Sequence, residues 1–92
     1  MNVLFANTAW QQYLYWQKED EKIVLRINEL IKAIQRDPFK GIGKPEPLRQ
    51  NLKGFWSRRI TKEHRLVYRL VGDSKMNKRI EILTCQFHYS GK

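Results

Sequence analysis

The sequence predicts an α+β domain in which two N-terminal helices pack on a twisted antiparallel β-sheet. Three observations predict it: a helical apolar period runs through residues 20–36, a strand-like hairpin follows at 55–70, and a last strand-like run spans 79–89. Helices that precede a group of strands are typical of this class. Because the chain has only 92 residues and no linker, repeat or low-complexity segment, we expect one domain, 1–92.

The first elements are a short strand and an aromatic helix. Asn2 to Ala6 is an apolar run that suits an N-terminal strand. Thr8 and Gln11 have the spacing of a capping box, which predicts that the first helix begins at Thr8. That helix carries five large side chains, Trp10, Tyr13, Leu14, Tyr15 and Trp16. So small a core cannot bury all of them, so the remainder form either ordinary surface or an interface, where Trp and Tyr are enriched.

The second helix has the clearest sequence pattern. Asp20 suits the N-cap position, and apolar residues then recur at i, i+4, i+7, i+8 and i+11: Ile23, Ile27, Leu30, Ile31 and Ile34. Asp37 and Pro38 are predicted to end the helix, because proline lacks an amide hydrogen and disfavours helical geometry in the preceding residue. Charged residues fill the opposite side, as on any amphipathic helix. We therefore expect this helix to be scaffold.

Residues 37–54 are rich in proline and glycine and are predicted to be loop, with one helical turn pairing Leu48 and Leu52. Glu46 lies in this segment between Pro45 and Pro47. Prolines on both sides fix φ and favour an extended chain, so the carboxylate of Glu46 is held on a stiff segment.

Residues 55–70 predict a β-hairpin that carries several cations. Successive side chains of a strand point to opposite faces, so each strand sends at least one arginine to each side of the sheet. A three-residue reversal would place Arg59 opposite Arg65, whereas a loop of two or four residues would place Ile60 opposite Arg65. The residues of the hairpin alone leave these alternatives open.

The hairpin is followed by a polar turn, Gly72 to Lys78, and by a last strand, Arg79 to Tyr89. Cys85 lies in the apolar part of that strand, which is typical of a core thiol. A single cysteine cannot form an intramolecular disulfide, and no Cys/His cluster has the spacing of metal ligands. We expect neither a metal nor another cofactor.

Positive charge is concentrated in the second half of the chain. The formal net charge is +9, and residues 40–69 contribute +7 of it, from nine basic and two acidic residues. A concentrated basic region favours a polyanionic partner, either nucleic acid or an acidic protein, over a uniformly solvated surface. Neither a signal-peptide pattern at the N-terminus nor an apolar run of membrane length is present. A cytoplasmic protein without a membrane partner is predicted.

Glu46, the arginines of the hairpin, and His88 with Tyr89 together suggest a chemistry. Each alone is typical of an ordinary surface. RNA can be cleaved without metal when its 2′-hydroxyl attacks the adjacent phosphorus. This needs a base for the hydroxyl proton, an acid for the departing 5′-oxygen, and cations for the phosphoryl charge. Together these side chains supply each of those groups.

Several segments closely resemble the YoeB family, in the RelE/ParE superfamily of toxin–antitoxin toxins. They are Tyr13 to Gln17, Ile27 to Lys32, Gly43 to Leu48, Gly54 to Thr61, Glu63 to Tyr68, and His88-Tyr89. The resemblance spans nearly the whole chain and implies a ribonuclease of RelE-like fold that cuts mRNA in the ribosomal A site. Its products would be a cyclic 2′,3′-phosphate and a 5′-hydroxyl. It also implies neutralisation by an acidic antitoxin of the YefM type.

The resemblance also assigns roles to residues. It implies that Glu46 is the general base and His88 the general acid, and that Arg65 and Arg59 hold the phosphate and stabilise the transition state. Tyr89 would position the substrate. The resemblance favours the three-residue reversal that brings the two arginines together.

Two further residues complete the implied phosphate contacts. Arg49 stands where the family has a basic loop residue, Lys in its best-known member, and keeps the charge with a different geometry. Lys44 belongs to the matching segment around Glu46. The turn from Gly72 to Arg79 looks longer than the family's, which puts substrate contact there in doubt.

Two other functions remain as alternatives. A non-catalytic basic module that binds RNA or ribosomes would not need Glu46 and His88 together. A ParE-like toxin that poisons a topoisomerase would share the fold but not this glutamate and terminal His-Tyr pair. The sequence leaves the oligomeric state open, a homodimer included.

Overall fold

The structure is a computed structural model that describes residues 1–72 and 77–87, and these form two helices and five strands. In chain order they are β1 (Asn2–Phe5), α1 (Asn7–Glu19), α2 (Glu21–Arg36), β2 (Glu46–Pro47), a 3₁₀ turn (Gln50–Leu52), β3 (Trp56–Arg59), β4 (Arg65–Val71) and β5 (Arg79–Thr84). The predicted α+β class is confirmed. Residues 73–76 of the predicted turn, and residues 88–89 of the predicted last strand, lie outside the described residues.

The strands form one sheet in the order β1-β5-β4-β3-β2. From β2 to β5 every neighbouring pair is antiparallel, as predicted. β1 differs, because it pairs parallel with β5 and makes the sheet mixed. Without β1, the backbone groups of β5 would form an open edge, and pairing with β1 satisfies them. β5 also ends at Thr84, earlier than the sequence suggested.

The two helix starts have different causes. Asp20 caps α2 as predicted, because its side-chain oxygen accepts a hydrogen bond from the Lys22 amide at 3.1 Å. The predicted capping box at Thr8 is wrong. α1 begins one residue earlier, at Asn7, and its N-cap Ala6 offers no side-chain bond. Here β1 runs directly into the helix, and the Ala6 amide donates to the Ile82 carbonyl of β5 at 2.9 Å.

The core lies between the helices and one face of the sheet. The predicted apolar stripe of α2 faces this core, with Ile31 half-buried and Val24 added to the buried set. On α1 only Trp16 among the large side chains is buried, whereas Trp10, Leu14 and Tyr15 are exposed. The expectation that α1 cannot bury all its large side chains is thus confirmed.

A second, smaller apolar cluster lies on the opposite face of the sheet. It consists of Leu48, Leu52 and Val67, with Phe55 and Leu83 packed against it. The 3₁₀ turn brings Leu48 and Leu52 together here, where a helical turn was predicted. Neither α-helix of the described residues packs on this face, and we call it the open face.

Cys85 is fully buried, as predicted for a core thiol, and burial raises its pKa to about 12. The thiol is therefore protonated at neutral pH. Within residues 1–72 and 77–87, no helix combines the length and the apolar character that a membrane span requires.

Candidate active site

The β3–β4 hairpin places Arg59 beside Arg65. Three residues form the reversal, because the Ile60 amide donates to the His64 carbonyl at 2.9 Å and Arg59 pairs with Arg65 in the ladder. The three-residue register is confirmed, and the alternative with Ile60 opposite Arg65 is excluded. Opposite residues of an antiparallel pair have Cβ atoms about 4.5–5.5 Å apart and point to the same face. Both guanidinium groups therefore belong to the open face.

Glu46 joins this face through β2, a short strand where the sequence analysis predicted loop. It pairs with Ser57 of β3, which in turn pairs with Val67 of β4, so the three residues form a row across the sheet. The row of Arg59 and Arg65 lies two residues along, a shift of about 7 Å on the same face. Long side chains can close that separation. Because β2 is an edge strand, it also tolerates Pro47, which has no amide to donate.

The surroundings of Arg65 give it unusual electrostatics. Only 7% of the Arg65 surface is exposed to solvent. Burial lowers the pKa of the Arg65 guanidinium, the neighbouring charge of Arg59 lowers it further, and the carboxylate of Glu46 raises it. An arginine nevertheless stays protonated at neutral pH. The charges of Arg59 and Glu46 therefore both act on Arg65, in opposite directions.

Few protein groups occupy the donors of Arg65. Its Nη1 makes one long contact, 3.5 Å, to the Thr61 carbonyl. The side chain of Arg65 makes no other hydrogen bond within residues 1–72 and 77–87. Neither Glu46 nor Arg59 makes a side-chain hydrogen bond within this part of the chain, and both are exposed. The set is one carboxylate with two guanidinium groups on the same face, and guanidinium groups are suited to binding anions.

Arg58, the neighbour of Arg59, has a different place that the sequence analysis missed. It points to the helix-covered face and is fully buried. Its Nε donates to the Tyr68 hydroxyl at 3.1 Å, and its two terminal nitrogens donate at 2.7–3.1 Å to the carbonyls of Asp37, Lys40 and Ile42. Alternation along the strand would have predicted opposite faces for Arg58 and Arg59, but which one is buried depends on the tertiary fold.

The segment that Arg58 holds leads directly to Glu46. The Tyr68 hydroxyl donates to the Pro38 carbonyl at 2.7 Å, and burial raises the pKa of Tyr68. Further along, the Gly43 carbonyl accepts from the Arg59 amide at 2.7 Å. A Cβ on Gly43 would lie 2.7 Å from Leu30, and its φ is +85°, so only glycine fits this close approach. The loop therefore delivers Glu46 to the sheet edge in a fixed register.

Lys44 and Arg49 flank β2, and both are exposed. Neither forms an ion pair or a side-chain hydrogen bond within the described ranges, so their charges are available at the edge that carries Glu46. Nor do those ranges bring three His, Cys, Asp or Glu side chains together as metal ligands.

The C-terminal segment approaches this site from β5. The Phe87 carbonyl accepts from the Arg65 amide at 3.0 Å, and the Phe87 amide donates to Nδ1 of His64 at 2.7 Å. Residue 87 is thereby fastened at the beginning of β4, next to Arg65. His88 and Tyr89 follow in the sequence but lie outside the described residues, so their assigned roles stay predictions. The sequence analysis did not single out His64.

The chain is similar to known proteins over nearly its whole length. Residues 5–89 match the family described as YoeB-like toxin of bacterial type II toxin-antitoxin system. Toxin YoeB of Escherichia coli strain K12 is 54% identical over 89 residues, which cover 97% of this chain and 100% of that relative.

Solved structures give the same result. The YoeB/ParE toxin from Agrobacterium tumefaciens superimposes with a TM-score of 0.93 at 46% identity, covering 97% of this chain and 100% of that chain. The YoeB dimer from Staphylococcus aureus gives 0.85 at 48% identity. The heterotetrameric YoeB-YefM toxin-antitoxin complex from the same organism gives 0.84 at 46% identity. Both comparisons cover 97% of this chain and 98% of the other.

Proposed function

This chain belongs to the YoeB-like toxins of bacterial type II toxin–antitoxin systems, and we propose that it is a metal-independent endoribonuclease that cuts mRNA in the ribosomal A site. The single domain, residues 1–92, would inhibit translation in the cytoplasm. One observation carries the proposal: the strand register places Glu46, Arg59 and Arg65 on the open face of the sheet in adjacent rows.

The reaction that suits these groups begins at the RNA 2′-hydroxyl. The Glu46 carboxylate removes its proton, and the 2′-oxygen attacks the neighbouring phosphorus. As the bond to the 5′-oxygen breaks, His88 donates a proton to that oxygen. The products are a cyclic 2′,3′-phosphate and a 5′-hydroxyl, and no water, metal or redox partner is consumed.

Cations stabilise the charge that gathers on the phosphoryl oxygens during attack. Arg65 suits this role because its planar fork can hold two oxygens at once, and its partly buried place strengthens the interaction. Arg59 lies opposite Arg65 in the ladder, is more exposed than Arg65, and adds a second positive charge. Tyr89 would position the nucleotide, while Lys44 and Arg49 would hold neighbouring phosphates along the β2 edge.

The proposed partners are mRNA on the ribosome and an acidic antitoxin of the YefM type. The family membership supports the antitoxin, and a Staphylococcus aureus relative has been solved in a YoeB-YefM complex. A net charge of +9 favours an acidic inhibitor, because opposite charge accelerates encounter and covers the arginines that RNA needs. Trp10, Leu14 and Tyr15 are exposed on α1 and suit contact with the same partner or, in the absence of antitoxin, with a second toxin copy.

The test is single-turnover cleavage of mRNA on ribosomes, read by primer extension. Glu46→Gln and His88→Gln should each lower the cleavage rate by about 10²- to 10⁴-fold, the range for losing a general acid or base, with binding nearly unchanged. Glu19→Gln, an exposed carboxylate at the end of α1, is the matched control and should cleave normally. A chelator should not affect the chemical step, provided that ribosome integrity is checked separately.

The outcome also decides between this proposal and the alternatives. Wild-type cleavage by either variant would remove the catalytic assignment. A binding module would keep its effect on translation in both variants and leave the RNA intact. A topoisomerase poison would instead inhibit DNA supercoiling without cutting RNA.

A further inference from the structure

His64 is the residue at which three parts of the molecule meet. It lies in the β3–β4 turn, next to Arg65. The Trp16 ring of α1 packs edge-on against its imidazole, with centroids 4.8 Å apart at 73°. On the other side, Phe87 lies 5.8 Å away, centroid to centroid, and donates its amide to Nδ1 of His64. The turn, the first helix and the C-terminal segment are thus joined through one imidazole.

The segment before Phe87 is held from α1. The Cys85 amide donates to the side-chain oxygen of Gln12 at 2.7 Å, and the Thr84 hydroxyl donates to the same oxygen at 2.8 Å. The Cys85 carbonyl accepts from Nε1 of Trp16 at 3.0 Å. The chain that leaves β5 is therefore fastened twice, first by α1 at Cys85 and then by the hairpin at Phe87.

The bond at Phe87 requires an acceptor on His64. The donor is a backbone N–H, so Nδ1 must be unprotonated and the proton of the neutral ring must be on Nε2. Phe87 has a φ of +66°, a left-handed conformation that side-chain-bearing residues adopt only when their surroundings hold it. The hydrogen bonds of Phe87 to His64 and to the Arg65 amide supply that restraint.

We propose that His64 is a positioning residue for RNA cleavage, and that its Nδ1 holds Phe87 against the start of β4, one residue before the proposed general acid in the sequence. This rests on the proposed function, because it assigns His88 as that acid. Of the two hydrogen bonds that fix Phe87, the one to Nδ1 is the only one that depends on a side chain. Without it, Phe87 loses one of the two bonds that hold its φ of +66° and can relax toward ordinary φ values.

A purely structural role for His64 would depend on its ring, which fills space beneath Trp16. Three substitutions separate that role from the acceptor. His64→Asn loses the ring but places an oxygen about where Nδ1 stands. His64→Gln carries its oxygen one bond further out, at the position of Nε2, and His64→Phe keeps the ring without any acceptor.

We expect His64→Phe and His64→Gln to lower the single-turnover cleavage rate by about 10- to 100-fold, the cost of a misplaced catalytic group. RNA affinity should stay within about twofold, because the phosphate-binding arginines are untouched. His64→Asn should restore cleavage to within about threefold of wild type even though it packs worst against Trp16. Wild-type cleavage by His64→Phe, or a loss in His64→Asn as large as in the other two variants, would overturn the proposal.

A second variant tests the fastening from α1. Trp16→Phe keeps an aromatic ring beside His64 but removes the donor to the Cys85 carbonyl. It should also lower the cleavage rate. In the double variant with His64→Phe, the loss should be smaller than the sum of the two single effects. Leu25→Ala, at an exposed position of α2 that has no assigned role, is the control and should have no effect.

Amide hydrogen exchange gives a readout that does not need activity. The Phe87 amide should exchange slowly in wild type and His64→Asn, and faster in His64→Phe and His64→Gln, while the amides of residues 66–71 in β4 stay unchanged. If wild type cleaves no RNA but exchange follows this order, the proposed function fails while the positioning contact stands. If the Phe87 amide exchanges equally in all four proteins, the contact itself is refuted.

Discussion

Arg58 and Arg59 are adjacent in the sequence and opposite in every other respect. Arg58 points to the covered face, is fully buried and donates four hydrogen bonds to protein groups. Arg59 points to the open face, is exposed and makes no side-chain bond within the described part of the chain. The comparison teaches that strand alternation, and not residue type, decides whether an arginine stabilises the fold or meets a ligand.

The same contrast extends to the two faces of the sheet. On the covered face the donors of Arg58 and the hydroxyl of Tyr68 are committed to carbonyls of the loop before β2. On the open face Glu46 and Arg59 make no side-chain hydrogen bond to the residues that the structure describes, and Arg65 makes one long contact to them. The covered face therefore holds the loop that presents Glu46, and the open face carries the groups proposed for chemistry.

The largest expected effect is a difference in the free energy of unfolding between variants of the two neighbouring arginines. Arg58→Met keeps a long side chain but leaves the Tyr68 hydroxyl and three carbonyls without their donor. It should lower the free energy of unfolding by about 3–5 kcal/mol, from several unsatisfied buried acceptors. Arg59→Met should change it by no more than about 0.5 kcal/mol, as is usual at exposed positions.

Denaturant unfolding of the two variants measures this difference. The m-values should match that of wild type, so that the shift in midpoint reports stability rather than a change in the unfolded state. Equal losses in the two variants would show that burial and bonding do not distinguish the two arginines.

The sequence was most informative where structure is local. The period of α2, its cap Asp20 and its end at Pro38 depend on neighbours in the chain, and all were correctly predicted. The hairpin register was not decided by its own residues, because two alternatives suit the same side chains. The family resemblance selected the register, and through it the pairing of Arg59 with Arg65.

Long-range contacts account for what the sequence did not predict. Arg58 meets carbonyls 16 to 21 residues away, and His64 meets Phe87 23 residues away. No local pattern marks either arrangement. Thr8 shows the reverse error, since a local capping pattern was present but the pairing of Ala6 with β5 fixed the start of α1 instead.

The next prediction concerns geometry on the open face. Arg65→Lys keeps the charge but loses the planar fork that can hold two phosphoryl oxygens. The single-turnover cleavage rate should fall by about 10- to 100-fold, with a smaller loss of RNA affinity. Lys53→Ala, which removes an exposed charge outside the strands, should mainly weaken binding and reduce its dependence on salt.

Rates and affinities measured across a range of salt concentrations distinguish the two variants. If Arg65→Lys changes only affinity and salt dependence, as expected for Lys53→Ala, Arg65 is an electrostatic anchor and not part of the chemistry.

The smallest effect concerns Arg69, an arginine of the open face that already has a carboxylate partner. It pairs with Glu81 at 2.8 Å, and Arg79 approaches the other oxygen of Glu81 at 3.0 Å. The hydrogen bond from Arg69 is the largest influence on Glu81 and lowers the pKa of that carboxyl below its ordinary 4.5, although burial opposes the shift. The folded state therefore binds fewer protons at this site than the unfolded state.

It follows that the pair stabilises the fold above about pH 4.5 and loses this contribution as pH falls through the lower, folded pKa. A double-mutant cycle with Arg69→Ala and Glu81→Ala should give a coupling of about 0.2–1 kcal/mol at pH 7, because Arg69 is half exposed and screened by solvent. The Arg26–Glu29 pair on α2, with a comparable distance of 2.7 Å, is the matched control: the same double-mutant cycle measures the coupling of an ion pair outside the sheet. A coupling between Arg69 and Glu81 that persists below the folded pKa would show that packing on Phe55, and not charge, holds Arg69 in place.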